Sequence, residues 1–251
     1  MSQPRGALPV LVLQHIDCEP PAAYEDELLA RGLTLRRVSL DRGQRLPDWR
    51  EHSAIVAMGG PMGAYEDAQY PWLGPEKQMI AEAVRARMPF WGVCLGAQLL
   101  AASLGASVAP GPQPEVGVLP VQLTDEAARD PVFAHAPASF DALHWHGDTY
   151  ELPAGAVQLA RSQLYEQQAF VFANAYALQF HLEATPALLA EWGAVPAYAE
   201  GLQRLPRATT LPALVEQLER VHETTEALAR ALFGGWLERV AGVPAGVGVR
   251  G

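Results

Sequence analysis

The amino-terminal half of the chain alternates short, unbroken apolar runs with helical stretches, and this constrains the fold more than any other feature. Residues 8–16 (LPVLVLQHI) are β-branched and apolar throughout, as in a strand buried on both faces. A helical stretch over 20–30 follows, opened by Pro20-Pro21 and closed by Gly32. Residues 33–40 alternate enough for a second strand, and 53–58 (SAIVAM) form a third that ends in Gly59-Gly60. Residues 75–87 read as a helix, 90–94 as a buried strand, and 95–104 as a helix ended by Gly105. Strands without a polar face belong to a parallel sheet covered on both sides. The expected class is α/β, a parallel-sheet sandwich of flavodoxin-like type.

The second half changes character. Residues 116–123, 140–146, 156–162, 169–173 and 176–181 are strand-like and closely spaced, which predicts antiparallel strands appended to the parallel core. A helix begins at 186–192, and a long one covers 211–240, with Leu214, Leu218, Val221, Leu232, Phe233 and Trp236 recurring at helical spacing. Such a stripe must be covered, either by the chain's own sheet or by a partner or second copy. No repeat or linker divides the chain. The expectation is one domain over 1–241, with a helical extension at about 186–241 and a flexible Gly-rich tail over 242–251.

Composition narrows the function. The net charge is −10, and Lys77 is the sole lysine, so nucleic acid and anionic membrane surfaces are poor partners. The apolar runs are strand-sized, too short to span a bilayer, and the first residues lack a signal-peptide pattern. A cytoplasmic location is expected. Two cysteines, Cys18 and Cys94, are too few for a disulfide framework.

Cys94 stands in the most informative segment, Phe90-Trp91-Gly92-Val93-Cys94-Leu95-Gly96-Ala97-Gln98. A cysteine with glycine at −2 and +2, between a strand and a helix, is the thiol form of the nucleophile elbow. The glycines allow a sharp turn that Cβ atoms would crowd. The helix amino terminus behind Cys94 favours a thiolate. A thiolate needs a base, and His181 in Gln179-Phe180-His181-Leu182-Glu183 ends an apolar strand with a carboxylate two residues on. These residues allow a nucleophile, base and orienting acid. A buried structural cysteine and a surface His-x-Glu pair would fit the same spacing.

Together, Gly92 to Gln98 and Gln179 to Glu183 resemble the class I glutamine amidotransferase family of the Cys-His-Glu triad type. Met58-Gly59-Gly60-Pro61-Met62-Gly63 resembles that family's oxyanion loop, and His146-Gly147-Asp148 is similar to a segment in the amidotransferase domain of GMP synthase. The likeness spans about residues 8–185. It departs at Leu182, where the family commonly has proline. The resemblance implies cleavage of the side-chain amide of glutamine, or of a γ-glutamyl amide, through a Cys94 thioester. His181 would be the base, Glu183 its orienting acid, and the N–H groups of Gly60 and Leu95 the oxyanion hole. Gln98, Gly59, His146 and Asp148 would hold the substrate. No cofactor or metal is implied. Ammonia would pass to a separate synthetase subunit, or the protein would act alone on γ-glutamyl compounds as a peptidase or transferase.

Other readings of the same residues exist. His144-Trp145-His146-Gly147-Asp148 has a His-x-His-x-Asp spacing suited to zinc, but Thr149 stands where a further histidine is needed. His144 is better read as a packed strand residue. A DJ-1-like redox or stress protein also carries an elbow cysteine, and a non-catalytic regulatory module remains a further alternative.

Overall fold

In the amino-terminal half, the residues of the three inner strands alternate between two apolar layers, because both faces of the sheet are covered there, while the edge strand Leu35–Ser39 exposes Arg36 and Arg37. The structure is a computed structural model that describes residues 8–205 and 209–243. Strand β1 (Val10–Gln14) pairs in parallel with β2 (Leu35–Ser39) and with β3 (Ile55–Ala57). Strand β4 (Phe90–Val93) pairs in parallel with β3 on one side and with β9 (Ala175–Leu178) on the other. Along β1, Val10 and Val12 enter one layer, and Leu11 and Leu13 the other.

Beyond β9 the sheet reverses. Strands β8 (Ala169–Phe172), β7 (Val157–Arg161), β5 (Val108–Leu123) and β6 (Ser139–Tyr150) follow in antiparallel pairs. The nine strands form one sheet, in the order β2-β1-β3-β4-β9-β8-β7-β5-β6. This is the expected α/β class, with one correction. The segment over 176–181 is not an appended antiparallel strand. It joins the parallel core as β9 and stops at Leu178, so His181 lies beyond it.

Helix α1 (Ala23–Ala30) begins after Ala22, three residues later than predicted, and α2 (Leu73–Arg85) begins and ends two residues earlier. Helix α3 (Leu95–Ser103) follows the Cys94 turn, and α4 (Pro186–Trp192) is capped by the Thr185 hydroxyl, which accepts the Leu188 N–H. A short helix, α5 (Pro196–Gln203), was not predicted, because Ala199 and Gly201 interrupt any apolar stripe. Strands β5 and β6 are longer than predicted, which places His144 to Asp148 inside a strand.

Helix α6 (Leu211–Arg239) covers one face of the sheet. Phe233 and Trp236 are fully buried and pack on Trp91, with ring centroids at 5.5 and 5.6 Å. The amino-terminal part of α6 turns Leu214 and Leu218 against Trp145, Leu189 and Trp192. The covered part of the stripe therefore lies within the chain. At the start of the expected loose tail, the Val243 N–H reaches the Leu237 carbonyl at 2.8 Å and Val243 is buried, so the chain is packed at Val243. The rest of that tail lies outside the described residues.

Candidate active site

Between β4 and α3 the backbone turns sharply at Cys94, with φ 51° and ψ −107°. This is a strained region for a residue with a side chain, and surrounding contacts hold it there. The Cys94 N–H donates to the Leu178 carbonyl at 2.7 Å, and the Gly96 N–H to the Met58 carbonyl at 3.1 Å. A Cβ on Gly92 would sit 2.6 Å from the Gly96 carbonyl oxygen, and one on Gly96 would strike the Ala57 backbone. Glycine at both positions is a steric requirement of the crossing. The N–H groups of Gly96, Ala97 and Gln98 are already bonded to the Met58 and Cys94 carbonyls. The Leu95 N–H leads the helix beside the thiol.

His181 reaches this thiol from the loop after β9. It forms a hydrogen bond with Cys94, and its Nδ1 lies 2.7 Å from Glu183 Oε1. A two-way backbone bridge to Leu143 of β6 sets its position, with N···O distances of 2.8 and 3.2 Å. Glu183 Oε2 accepts the Leu182 N–H at 3.1 Å. Proline at 182 would have no such N–H, so the departure at Leu182 adds a donor to the carboxylate. The ring of Trp192 packs edge-on to His181 at 4.9 Å.

These groups are buried, and burial sets their proton affinities. It pushes the Cys94 thiol up, against the opposing pull of its hydrogen bond to His181. In His181 burial works downward, but the Glu183 charge and the Cys94 contact outweigh it and hold the imidazole well above its ordinary value. Glu19, a second carboxylate facing His181, is raised to about 7 by burial and by the Glu183 charge, with His181 opposing. Its Oε1 accepts the Tyr198 hydroxyl of α5.

The Gly59-Gly60 loop lies opposite. A Cβ on Gly59 would overlap the Glu19 carboxylate and sit 3.2 Å from His181 Cε1, and one on Gly60 would sit 2.9 Å from His15 Cβ. On the helix side, Gln98 Nε2 donates to Gln179 Oε1 at 3.1 Å, and Gln179 Nε2 approaches Cys94 Sγ at 3.6 Å. A cavity of about 260 Å³ opens over Cys94, with Gly60, Gln98, His146, Asp148 and Tyr198 among its walls. The structure thus brings all the predicted site residues to one place.

His146 is engaged at both nitrogens. Nδ1 donates to the Asp148 carbonyl at 2.9 Å, and Nε2 lies 3.0 Å from Glu115 Oε2. The same oxygen is 3.2 Å from His144 Nδ1. Ligand atoms of Glu115, His144 and His146 lie within 4.8 Å of one another, a spacing that could hold a metal ion. Gln168 Nε2 donates to Glu115 Oε2 at 2.6 Å and Ser162 Oγ to Oε1 at 2.7 Å, so N–H and O–H donors converge where an ion would sit. This donor set suits a buried carboxylate better than a cation. Burial works to raise Glu115, but the nearby His144 and its bonds to His146 and Ser162 hold it well below the carboxylate range.

The model of the glutamine amidotransferase class-I family matches residues 16–190. The chain belongs to the class-I glutamine amidotransferase family. It is 34% identical over 176 residues to the glutamine amidotransferase-like protein YfeJ of Salmonella typhimurium, covering 68% of this chain and 74% of that protein. It is 37% identical over 131 residues to a glutamine-hydrolysing GMP synthase of Thermomicrobium roseum, covering 51% of this chain and 23% of the synthase. The crystal structure of a glutamine amidotransferase from Thermotoga maritima superposes with a TM-score of 0.82 at 33% identity, over 94% of this chain and 98% of that one.

Helix α5 lies outside the part matched to the amidotransferase family, yet Tyr198, Gly201 and Arg204 line the cavity. Sequence reasoning missed this wall, along with His15, Glu19 and Gln179. Gln179 sits inside the triad segment and was readable there. His15 carried a weaker signal, as a polar residue at the end of a buried strand, and Glu19 lies in the loop beyond it.

Proposed function

We propose that this amidotransferase family member hydrolyses the side-chain amide of glutamine, or a γ-glutamyl amide, through a thioester on Cys94. The single observation that carries this reading is the chain of contacts from Cys94, which lines the cavity, through His181 to Glu183 behind it. The Cys94 proton passes to His181, and the thiolate attacks the amide carbon. Glu183 holds Nδ1, so the other ring nitrogen faces the sulfur. N–H groups of Gly60 and Leu95 meet the oxyanion. The C–N bond breaks as His181 returns the proton to the departing nitrogen, releasing ammonia or an amine. Water, deprotonated by His181, then attacks the thioester carbonyl, and glutamate leaves as Cys94 regains its proton. Gln98, Gly59, His146 and Asp148 surround the amino-acid end.

Among the described residues no helix is long and apolar enough to cross a membrane. We take 1–241 as one domain acting in the cytoplasm. The acceptor of ammonia is sought in a separate synthetase subunit. A protein 32% identical over 141 residues, from Ignicoccus hospitalis, is named as one subunit of a glutamine-hydrolysing GMP synthase, and 70% of it is covered.

Purified protein is assayed for glutamate and ammonia release from glutamine and γ-glutamyl peptides, with and without lysate. Turnover that Cys94→Ser abolishes while the melting temperature holds supports the reading. Turnover that survives the substitution overturns it.

A further inference from the structure

We propose that His15 is a positioning residue that presets the oxyanion hole by turning the Gly59–Gly60 peptide so that the Gly60 N–H faces the cavity. The inference rests on the proposed thioester chemistry, but its geometry stands apart from the triad. His15 follows β1 directly and is completely buried. Its Nδ1 lies 3.1 Å from the Gly59 carbonyl oxygen, which can only accept, so Nδ1 carries a proton and donates. Its Nε2 lies 2.9 Å from Glu76 Oε1 of α2, also buried, and its ring stacks on Trp72 with centroids at 5.6 Å.

A planar trans peptide has its C=O and N–H on opposite sides. No cis peptide occurs among the described residues, so the Gly59–Gly60 bond is trans. Fixing the Gly59 carbonyl on His15, behind the loop, therefore directs the Gly60 N–H away from His15. Gly60 lines the cavity beside Cys94. Gly60 packs directly against His15, with His15 Cβ 2.9 Å and Leu95 Cδ2 and Met62 Sδ 3.1 Å from a Cβ placed on it. The Glu76 pair adds an orienting charge. It raises His15 although burial works to lower it. Without His15, a glycine pair is free to rotate its shared peptide, and the hole would lose one of its two donors. Loss of one oxyanion donor typically lowers kcat by about 10²–10³.

The experiment compares His15→Leu, His15→Asn and Glu76→Gln with the wild type in two reactions. One is steady-state hydrolysis of whichever γ-glutamyl amide the wild type turns over. The other is alkylation of Cys94 by iodoacetamide, a displacement at saturated carbon that builds no oxyanion. The expected result for His15→Leu is a kcat lower by about 10²-fold with KM within about threefold and the alkylation rate unchanged. His15→Asn, whose amide N–H reaches the place of Nδ1, recovers most of kcat, and Glu76→Gln gives a smaller loss. A His15→Leu kcat within about twofold of wild type overturns the inference. So does an equal fall in alkylation and hydrolysis, which marks a general packing defect, or an unfolded His15→Leu combined with a His15→Asn that folds and is as slow as an oxyanion-hole mutant. If the wild type hydrolyses no γ-glutamyl compound but alkylates normally, the thioester reading fails, and the inference, which rests on it, falls with it.

Discussion

His181 and His146 are both buried beside a glutamate, one in the loop after β9 and the other within β6, and their surroundings differ at one nitrogen. His181 has Nδ1 on Glu183 and turns its remaining nitrogen to the Cys94 thiol. His146 has Nδ1 on a backbone carbonyl and Nε2 on Glu115, so neither nitrogen is left for chemistry. Glu115 itself is surrounded by Ser162, Gln168 and a second imidazole. A buried His–Glu pair thus becomes a proton carrier when one nitrogen meets a nucleophile at a cavity, and a brace when both are closed. By this measure His146 shapes the cavity wall and does not exchange protons with substrate.

The strongest way to break this contrast is Glu183→Gln. Removing the charge that orients His181 should lower kcat by about 10³–10⁴ with little change in melting temperature. The measurement is steady-state kinetics beside thermal unfolding, and activity within about twofold would remove Glu183 from the chemistry. The mirror experiment is Glu115→Ala. It leaves two buried imidazoles and the Ser162 and Gln168 donors without their acceptor, so it should cost about 3–5 kcal/mol in denaturant unfolding, as for a broken buried pair. The kcat of the folded fraction should fall far less than in Glu183→Gln. A stable Glu115→Ala with lost activity would move His146 into the chemistry.

Trp236→Ala tests the same distinction in an apolar setting. Trp236 is fully buried against Trp91 and Phe233, so its loss should also cost about 3–5 kcal/mol without shifting KM. A mutant that unfolds like wild type but changes mass in light scattering would instead place α6 at an interface.

Smaller effects come from pH. Glu115 is held below its unfolded value of 4.5, so its stabilisation is present above that pH and is lost as pH falls below it. Glu115→Gln should flatten the acid limb of the melting-temperature profile. Glu19 has the opposite sign. Its carboxyl rises from 4.5 to about 7 in the folded protein, so its contribution is complete below pH 4.5 and is lost as pH rises through 7. Glu19→Gln should remove that decline between pH 5 and 8. An unchanged slope would show that burial and the Glu183 charge do not hold the carboxyl protonated as the geometry implies.

Local pattern alone specified much of this protein. Apolar runs without a polar face dictated a parallel sheet covered on both sides, because strands buried twice cannot carry alternating charge. Glycines two residues to either side of Cys94 dictated the elbow, because a Cβ at either position collides with backbone. His181 and Glu183 could be paired from their spacing, since a turn of two residues returns a carboxylate to its neighbour's ring. Tertiary structure decided what spacing cannot express. Whether a histidine meets a thiol or a second acid depends on which strand lies beside it. That is why β9 in the parallel core, read locally as one more antiparallel strand, places His181 against Cys94. His15 and Glu76 lie 61 residues apart, and Glu19 and Tyr198 lie 179 apart. Each such pair is formed only when the sheet and α5 bring distant, ordinary polar residues into a dry interior, where an unpartnered polar group is too costly to leave alone.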